Sequence, residues 1–256
     1  VDGRADDWGE AGFRVNTLAL LGCGWRPVED FDVRMRLAWD EAGLLALIEV
    51  SDQAGVEHEQ TFSLYRGDCV ELFFADRRGG GDLIGMTLAP GLDPRFPEMR
   101  TSLNDRRRNA ALKAVTATVE SARALVPGGY RIEVRLPWAQ VGVRPEVGAV
   151  CGFNVYVNDV DVREALLLQG ELAAARWYPE PSAIINATAL HSLRLAGAPS
   201  ASVETAAWLA YASDRPGEVR IQVAAPAAYT GETVVIRGGG APLACGVFEA
   251  AGGRAL

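Results

Sequence analysis

Histidine is nearly missing from this chain: His58 and His191 are the only two in 256 residues. Neither belongs to an HExxH pair or a Cys/His cluster, which excludes the common zinc-protease and zinc-finger arrangements. The four cysteines, Cys23, Cys69, Cys151 and Cys245, form no CxxC pair, so zinc-ribbon and thioredoxin-like chemistry is excluded as well. Cys69 and Cys151 fall in expected strands and read as small buried thiols, a disulfide being open to them only where those strands adjoin. No GxSxG nucleophile elbow occurs. Gly22-Cys23-Gly24-Trp25 begins like a dinucleotide-binding turn, but Pro27 stands where the third glycine is required, and the segment reads as a loop.

Basic charge is the next shortage. Lysine and arginine number 25 against 33 aspartates and glutamates, for a net charge of −8. That balance argues against a phosphate-binding surface, and no nucleic-acid partner is expected. Arg106-Arg107-Arg108 follows Asn104-Asp105 and reads as a solvated turn. No apolar run approaches the ~20 residues that span a bilayer, so no membrane span is expected. No charged segment followed by an apolar stretch opens the chain. Val1-Asp2-Gly3 enters a fold signal at once and the far end breaks off in Ala250-Ala251-Gly252-Gly253, so an excised piece of a longer protein is expected.

What is present is alternation. Side chains on a strand point to opposite faces in turn, so a period of two marks a strand with one buried face. Val33, Met35, Leu37 and Trp39 alternate with polar residues, and Leu44, Ala46, Ile48 and Val50 repeat the pattern after Asp40-Glu41-Ala42-Gly43, a turn suited to a hairpin. Val70, Leu72 and Phe74 form another inward set, as do Val115, Ala117 and Val119. Tyr130, Ile132, Val134 and Leu136 alternate with Arg131, Glu133 and Arg135, and Phe153, Val155 and Val157 with Asn154, Tyr156 and Asn158. His191 to Leu195 reads as a closing strand. Helical periodicity is scarce: Asp161 to Ala175 has the composition for a helical turn or two, and Pro137 to Val141 for a short one. The expected fold is all-β, an antiparallel, jelly-roll-like β-sandwich over residues 1–196. A small-residue linker runs from Ala196 to Ser202. Strands around Val219–Val223, Thr233–Ile236 and Gly246–Phe248 follow within 197–256, as extra strands or the start of a second β domain.

Carboxylates sit inside these strands. Asp68 with Glu71, or Asp159 with Asp161, are the residue types that flank a glycosidic bond in hydrolases, and they equally suit strand-end structure or calcium. With no further catalytic signature, a binding role rather than an enzyme is expected. Sugar rings present apolar C–H faces and a rim of hydroxyls, which aromatic plates and fixed carboxylates or amides match. Trp177-Tyr178 lies in a Pro- and Glu-containing loop outside any alternation, Tyr65 stands just before the Asp68–Phe73 strand, and Glu71 points away from Val70 and Leu72. Trp8, Trp39 and Trp138 stand at strand ends and suit the core.

These segments, taken in order, resemble family 9 carbohydrate-binding modules within the DOMON-like β-sandwich group. Val1-Asp2-Gly3 with Trp8 resembles the family's opening; Trp39-Asp40 and the run to Asp52 resemble its first hairpin. Tyr65 to Phe73, Gly129 to Trp138, Gly152 to Asp159 and Trp177 with Leu193-Arg194-Leu195 resemble the later motifs. The resemblance implies a non-catalytic module attached to a plant-polysaccharide hydrolase, clamping a terminal sugar between two aromatics and carrying structural calcium. Carried over, Tyr65 and Trp177 (with Tyr178 beside it) are the plates and Glu71 the hydrogen-bonding carboxylate. Asn154, Asn158 and Arg163 add polar contacts, and Asp2, Asp52, Asp159 and Asp161 are candidates for calcium. The chain departs from the pattern in having Tyr for Trp at 65, no arginine at Ile84-Gly85-Met86, a longer stretch from Gly91 to Leu112, and Leu190-His191 for Phe-Gly. Two alternatives stay open: a structural or interaction sandwich without a sugar pocket, and a haem-binding DOMON domain drawing axial ligands from Met35, Met86, Met99, His58 and His191.

Overall fold

The computed structural model describes residues 1–8, 13–15, 17–18, 30–115, 118–163, 173–176, 186–195, 203–205, 208–215, 218–224, 229–238 and 241–250. In chain order the strands are β1 (Phe13–Arg14), β2 (Thr17–Leu18), β3 (Asp32–Trp39), β4 (Gly43–Ser51), β5 (Cys69–Ala75), β6 (Leu83–Ala89), β7 (Arg100–Asp105), β8 (Glu120–Val126) and β9 (Gly129–Pro137). They continue as β10 (Val150–Asp159), β11 (Ala173–Arg176), β12 (His191–Leu195), β13 (Val203–Thr205), β14 (Trp208–Arg215), β15 (Glu218–Ala224), β16 (Tyr229–Gly238) and β17 (Ala241–Ala250). Helical structure among the described residues includes α1 (Ala110–Lys113), α2 (Trp138–Val141) and 3-10 turns at Thr61–Arg66 and Ala187–Ala189.

Two antiparallel sheets form the sandwich. The first has the order β1-β3-β4-β9-β8, and the second runs β13-β12-β10-β5-β6-β7, with β11 joining β10 to β2. β14–β15 and β16–β17 are hairpins. The alternations account for the layers. In the second sheet the register aligns Leu88, Val70 and Val157 in one row, Met86, Leu72 and Val155 in the next, and Ile84, Phe74 and Phe153 in a third. In the first it aligns Leu44 with Leu136, Ile48 with Ile132 and Val50 with Tyr130. These rows are buried against one another as one apolar core, with Trp39 and Trp138 among its largest side chains.

The central strands of the second sheet are covered on both faces. Phe73, Ala75, Leu83 and Tyr156 point away from the main core and pack under Ala187 and Leu190 of the second 3-10 turn. Phe73 and Tyr156 meet at 4.8 Å between ring centres. Burial on both sides explains why Cys69–Ala75 is almost continuously apolar, unlike a strand with one wet face.

Local signals closed as their chemistry requires. Asp40 accepts from the amides of Ala42 and Gly43 at 2.9 and 2.8 Å, fixing the β3–β4 hairpin. Pro137 precedes α2 as its N-cap, and Gly142 ends it in the left-handed region at φ 70°. Three expectations shift. The strand placed at Val115–Val119 lies instead at Glu120–Val126, Ala117 being outside the described residues; α1, capped by Asn109, takes the preceding chain. β8 is an edge strand with half-exposed side chains on both faces, so its pattern carries little signal. Ala173–Arg176 is a strand rather than helix, because the ladder to β10 overrides the helix preference of alanine; residues 164–172 lie outside the described set. Glu133, which faces away from the core, is nevertheless 3% exposed. It accepts from the Asp2 and Gly3 amides at 2.6 and 2.9 Å and from Trp8 Nε1 at 3.2 Å, pinning the N-terminal segment to the first sheet.

Replacing Glu133 with alanine strands those donors, and an unmade buried hydrogen bond costs about 1–3 kcal/mol. Glu133→Ala is therefore expected to lower the unfolding free energy by that amount, read in urea as a lower midpoint with an unchanged slope.

Candidate functional site

The outer face of the second sheet carries the polar residues that the core cannot use. Glu71 on β5 lies between Tyr156 of β10 and Thr87 of β6, and Thr87 lies beside Ser102 of β7. In the adjoining row Asn154, Phe73, Gly85 and Asn104 follow one another. Gly85 lies directly beside the buried ring of Phe73: a Cβ there would sit 3.4 Å from Phe73 Cδ1.

Tyr65 rises at the edge of this face from the first 3-10 turn. Ser63 and Leu64 point inward, leaving Tyr65 40% exposed. Arg66 lies over its ring at 5.7 Å and donates from Nε to its hydroxyl at 3.3 Å. Asn158, at the end of β10, joins the parts: its Nδ2 donates to the Tyr65 carbonyl at 2.9 Å and to Glu71 Oε1 at 3.0 Å. Tyr65, Glu71 and Asn158 are thus one connected set. Asn154 is fully buried and accepts from the Val155 amide at 2.8 Å, so it supports β10 from within. Arg163 pairs with Asp93 at 3.3 Å, on a carboxylate it shares with Arg95. Trp177 and Tyr178 lie outside the described residues. Thr87, Ser102 and Asn104, half-buried on the same face, are polar groups that the sequence reading passed over; strand register alone places them there.

The segment leading into the 3-10 turn is clamped from below. Buried Glu57 accepts from the Gly91 and Leu92 amides at 2.6 and 2.8 Å and pairs with Arg100 at 3.0 Å. Arg100 also donates to the carbonyls of His58 and Glu59 at 2.9 and 3.1 Å and stacks over Phe96 at 4.1 Å.

At the same end of the sandwich, Asp52, Asp68 and Asp159 converge from the ends of β4, β5 and β10, all buried, with one oxygen of each within 4.8 Å of the others. Asp68 accepts from the amide of Val56 and, at 2.7 Å, from that of Val160. Burial, reinforced by the charges of Asp161, Asp30 and Glu57, pushes the Asp52 carboxyl up to about 7. Burial and the Asp52 charge push Asp68 well above the usual carboxylate range. The phenol of Tyr130, buried and raised by burial and by Asp52 and Asp68, has no hydrogen-bond partner among the described residues. Two oxygens on opposite sides of a calcium ion lie about 4.6–5.2 Å apart, so this all-oxygen set fits one such hard cation. Of the expected metal candidates, Asp52 and Asp159 belong to the group and Asp161 influences it by charge. Asp2 is exposed beside Glu133, on the first sheet. Asp68 points inward and Glu71 outward, so they do not face each other across a bond.

A family model described as carbohydrate family 9 binding domain-like matches residues 1–166. The chain belongs to that family. The family 9 match ends before Trp177 and covers the whole Tyr65–Glu71–Asn158 set. Two solved structures share the fold, both of a family 9 carbohydrate-binding module from Caldicellulosiruptor kristjanssonii. One, in complex with glucose, is 20% identical with a TM-score of 0.57, covering 78% of this chain and 93% of its own. The other, in complex with cellotriose, is 18% identical with a TM-score of 0.54, covering 77% and 89%. No curated protein matches the sequence. β6 offers Gly85 and Thr87 to this face, and Leu83–Ala89 holds no arginine.

Without a cation, a raised carboxyl favours the protonated folded state, and its stabilising contribution is present below the ordinary carboxylate range and lost as pH rises toward the folded value. For Asp52 that window runs from 3.8 to about 7. In chelator, the melting temperature of the family 9 domain is expected to fall as pH is raised across this window. A melting temperature that rises throughout would show that the buried acids do not govern its pH response.

Proposed function

We propose that this family 9 domain is a non-catalytic sugar-binding module, part of a larger polysaccharide-active protein working outside the cell. The observation that carries the reading is the single hydrogen-bonded unit of Tyr65, Glu71 and Asn158 beside an exposed aromatic face. The Tyr65 ring takes the apolar face of a pyranose, and Glu71, its orientation held by Asn158, accepts from the sugar hydroxyls. Thr87 adds a small hydroxyl in the same row. Trp177 is the second plate of the clamp. No residue has to move a proton or form a bond; the site binds because its groups are held in place before the ligand arrives, so little side-chain freedom is lost on binding. The named complexes with glucose and cellotriose support a saccharide as the ligand class.

Calcium belongs to the same proposal. Asp52, Asp68 and Asp159 would hold it, and its charge would replace the protons that the buried carboxyls otherwise retain. The ion would tie the ends of β4, β5 and β10, and so fix Tyr65 and Asn158 relative to each other.

On a glycan array followed by titration calorimetry, Tyr65→Ala and Glu71→Gln are each expected to weaken the retained sugar roughly tenfold or more while leaving the fold intact. Retention unchanged by both substitutions would remove this face as the site. Calcium at 100 times its dissociation constant is expected to add about 2.7 kcal/mol of stability, and Asp52→Asn to abolish most of that gain. A melting curve indifferent to chelator and calcium would reject the ion.

A further inference from the structure

The run Arg106-Arg107-Arg108 differs from the solvated turn that its sequence suggests. Arg107 is buried, pairs with Asp105 at 2.7 Å and donates to the Leu112 and Gln140 carbonyls, which locks the exit of β7 onto α1 and α2. Arg106 and Arg108, on either side of it, face water. The turn between β5 and β6 lies against them. Its Asp82 accepts from the Arg108 and Asn109 amides at 2.8 Å each, and the Arg106 amide donates to the Leu83 carbonyl at 2.9 Å. The Arg108 stem runs beside Gly81, where a Cβ would sit 3.7 Å from Arg108 Cδ. The same turn carries exposed Arg77 and Arg78, and exposed Lys113 of α1 acts on Asp105 by charge. Six cations thus gather around three carboxylates, Asp76, Asp82 and Asp105, in a chain whose net charge is −8. Asp76 is paired with Arg77 and Asp105 with Arg107, while no carboxylate among the described residues forms an ion pair with Arg106, Arg108 or Lys113. β5 and β7 begin at the end that carries the Tyr65 turn and leave at this one. The seven residues of β5, roughly 20 Å of strand, separate the two ends.

We infer that this basic end is a docking surface for an acidic polysaccharide whose rings carry carboxylates. It uses none of the groups of the sugar site proposed above and does not rest on that reading. All but one of the cations are arginines, and the planar guanidinium fork matches a carboxylate with two parallel hydrogen bonds. The chain already makes this pairing here, between Arg107 and Asp105, through Nε to one oxygen and Nη2 to the other at 2.9 and 2.7 Å. The interleaved carboxylates select against a denser polyanion. Duplex DNA places a charge about every 1.7 Å of its axis, so phosphates would be forced against Asp76, Asp82 and Asp105. A polymer with one carboxylate per ring leaves room for them between its charges. Residues 76–82 and 105–113 include no aromatic ring on which a base could stack.

The test is titration of the intact chain at low ionic strength with polygalacturonate, and in parallel with fully methyl-esterified polygalacturonate and with single-stranded DNA of similar length. The two polysaccharides have the same rings and ends and differ in charge alone. The unsubstituted chain is expected to bind polygalacturonate, to release it as salt is added, and to bind the esterified polymer and the DNA more weakly. Arg106→Gln combined with Arg108→Gln, which keeps the backbone contacts to Asp82, is expected to weaken polygalacturonate roughly fivefold or more and to flatten the salt dependence. The melting temperature is expected to stay unchanged, and Arg106→Lys with Arg108→Lys to recover part of the loss. No binding of polygalacturonate, equal binding of the esterified polymer, tighter binding of the DNA, or binding indifferent to the double glutamine substitution each overturns the inference. The sugar site at Tyr65 is read separately, by its own substitutions on neutral glycans, and stands or falls apart from this result.

Discussion

Burying negative charge is the constraint on which the rest of this molecule turns. Asp52, Asp68 and Asp159 reach the same water-poor space from strands of both sheets. Moving a carboxylate out of water is costly unless a proton, a cation or dense hydrogen bonding replaces the lost hydration. Asp68 meets part of this demand by accepting from Val56 and Val160, which ties the loop after β4 and the exit of β10 to the start of β5. Charge compensation at one point therefore sets how the two layers meet at the end that carries the site.

That end is rigid for further reasons. β5 and β10 are packed on both faces, so neither can slide without opening an apolar cluster. The turn carrying Tyr65 is tied to β10 by Asn158 and to the loop before β7 through Glu57 and Arg100. Arg100 in turn lies on Phe96, so an apolar ring supports the ion pair that positions the turn. The proposed sugar-binding role needs groups held in place more than it needs many groups, and Glu71 and Asn158 are held to each other and to the Tyr65 turn.

Much of the scaffold was readable in advance. The alternations in Val33–Trp39, Leu44–Val50, Tyr130–Leu136 and Phe153–Val157 each became a strand with the expected face buried. Where the pattern was weak, in the half-exposed edge strand β8 and the alanine-rich β11, position or type was misjudged, because pairing to a neighbour and not local preference decided them. The grouping of the candidate residues was legible in part. Tyr65, Glu71 and Asn158 come together, while Asn154 turned out to be wholly buried and Arg163 engaged with Asp93.

The amino-acid sequence by itself determined the layering of this protein and the face on which Glu71 lies, because successive side chains on a strand must point to opposite sides and apolar ones must leave water. It also set the β3–β4 hairpin through Asp40 and Gly43, whose chemistry is local. Only the tertiary structure decided which polar groups meet. Asp52, Asp68 and Asp159 lie far apart in the chain, as do Glu71, Thr87, Ser102 and Asn158, and their meeting depends on strand order and register. No local pattern encodes register between distant strands; it emerges from the packing of whole faces, and the site is written in that register.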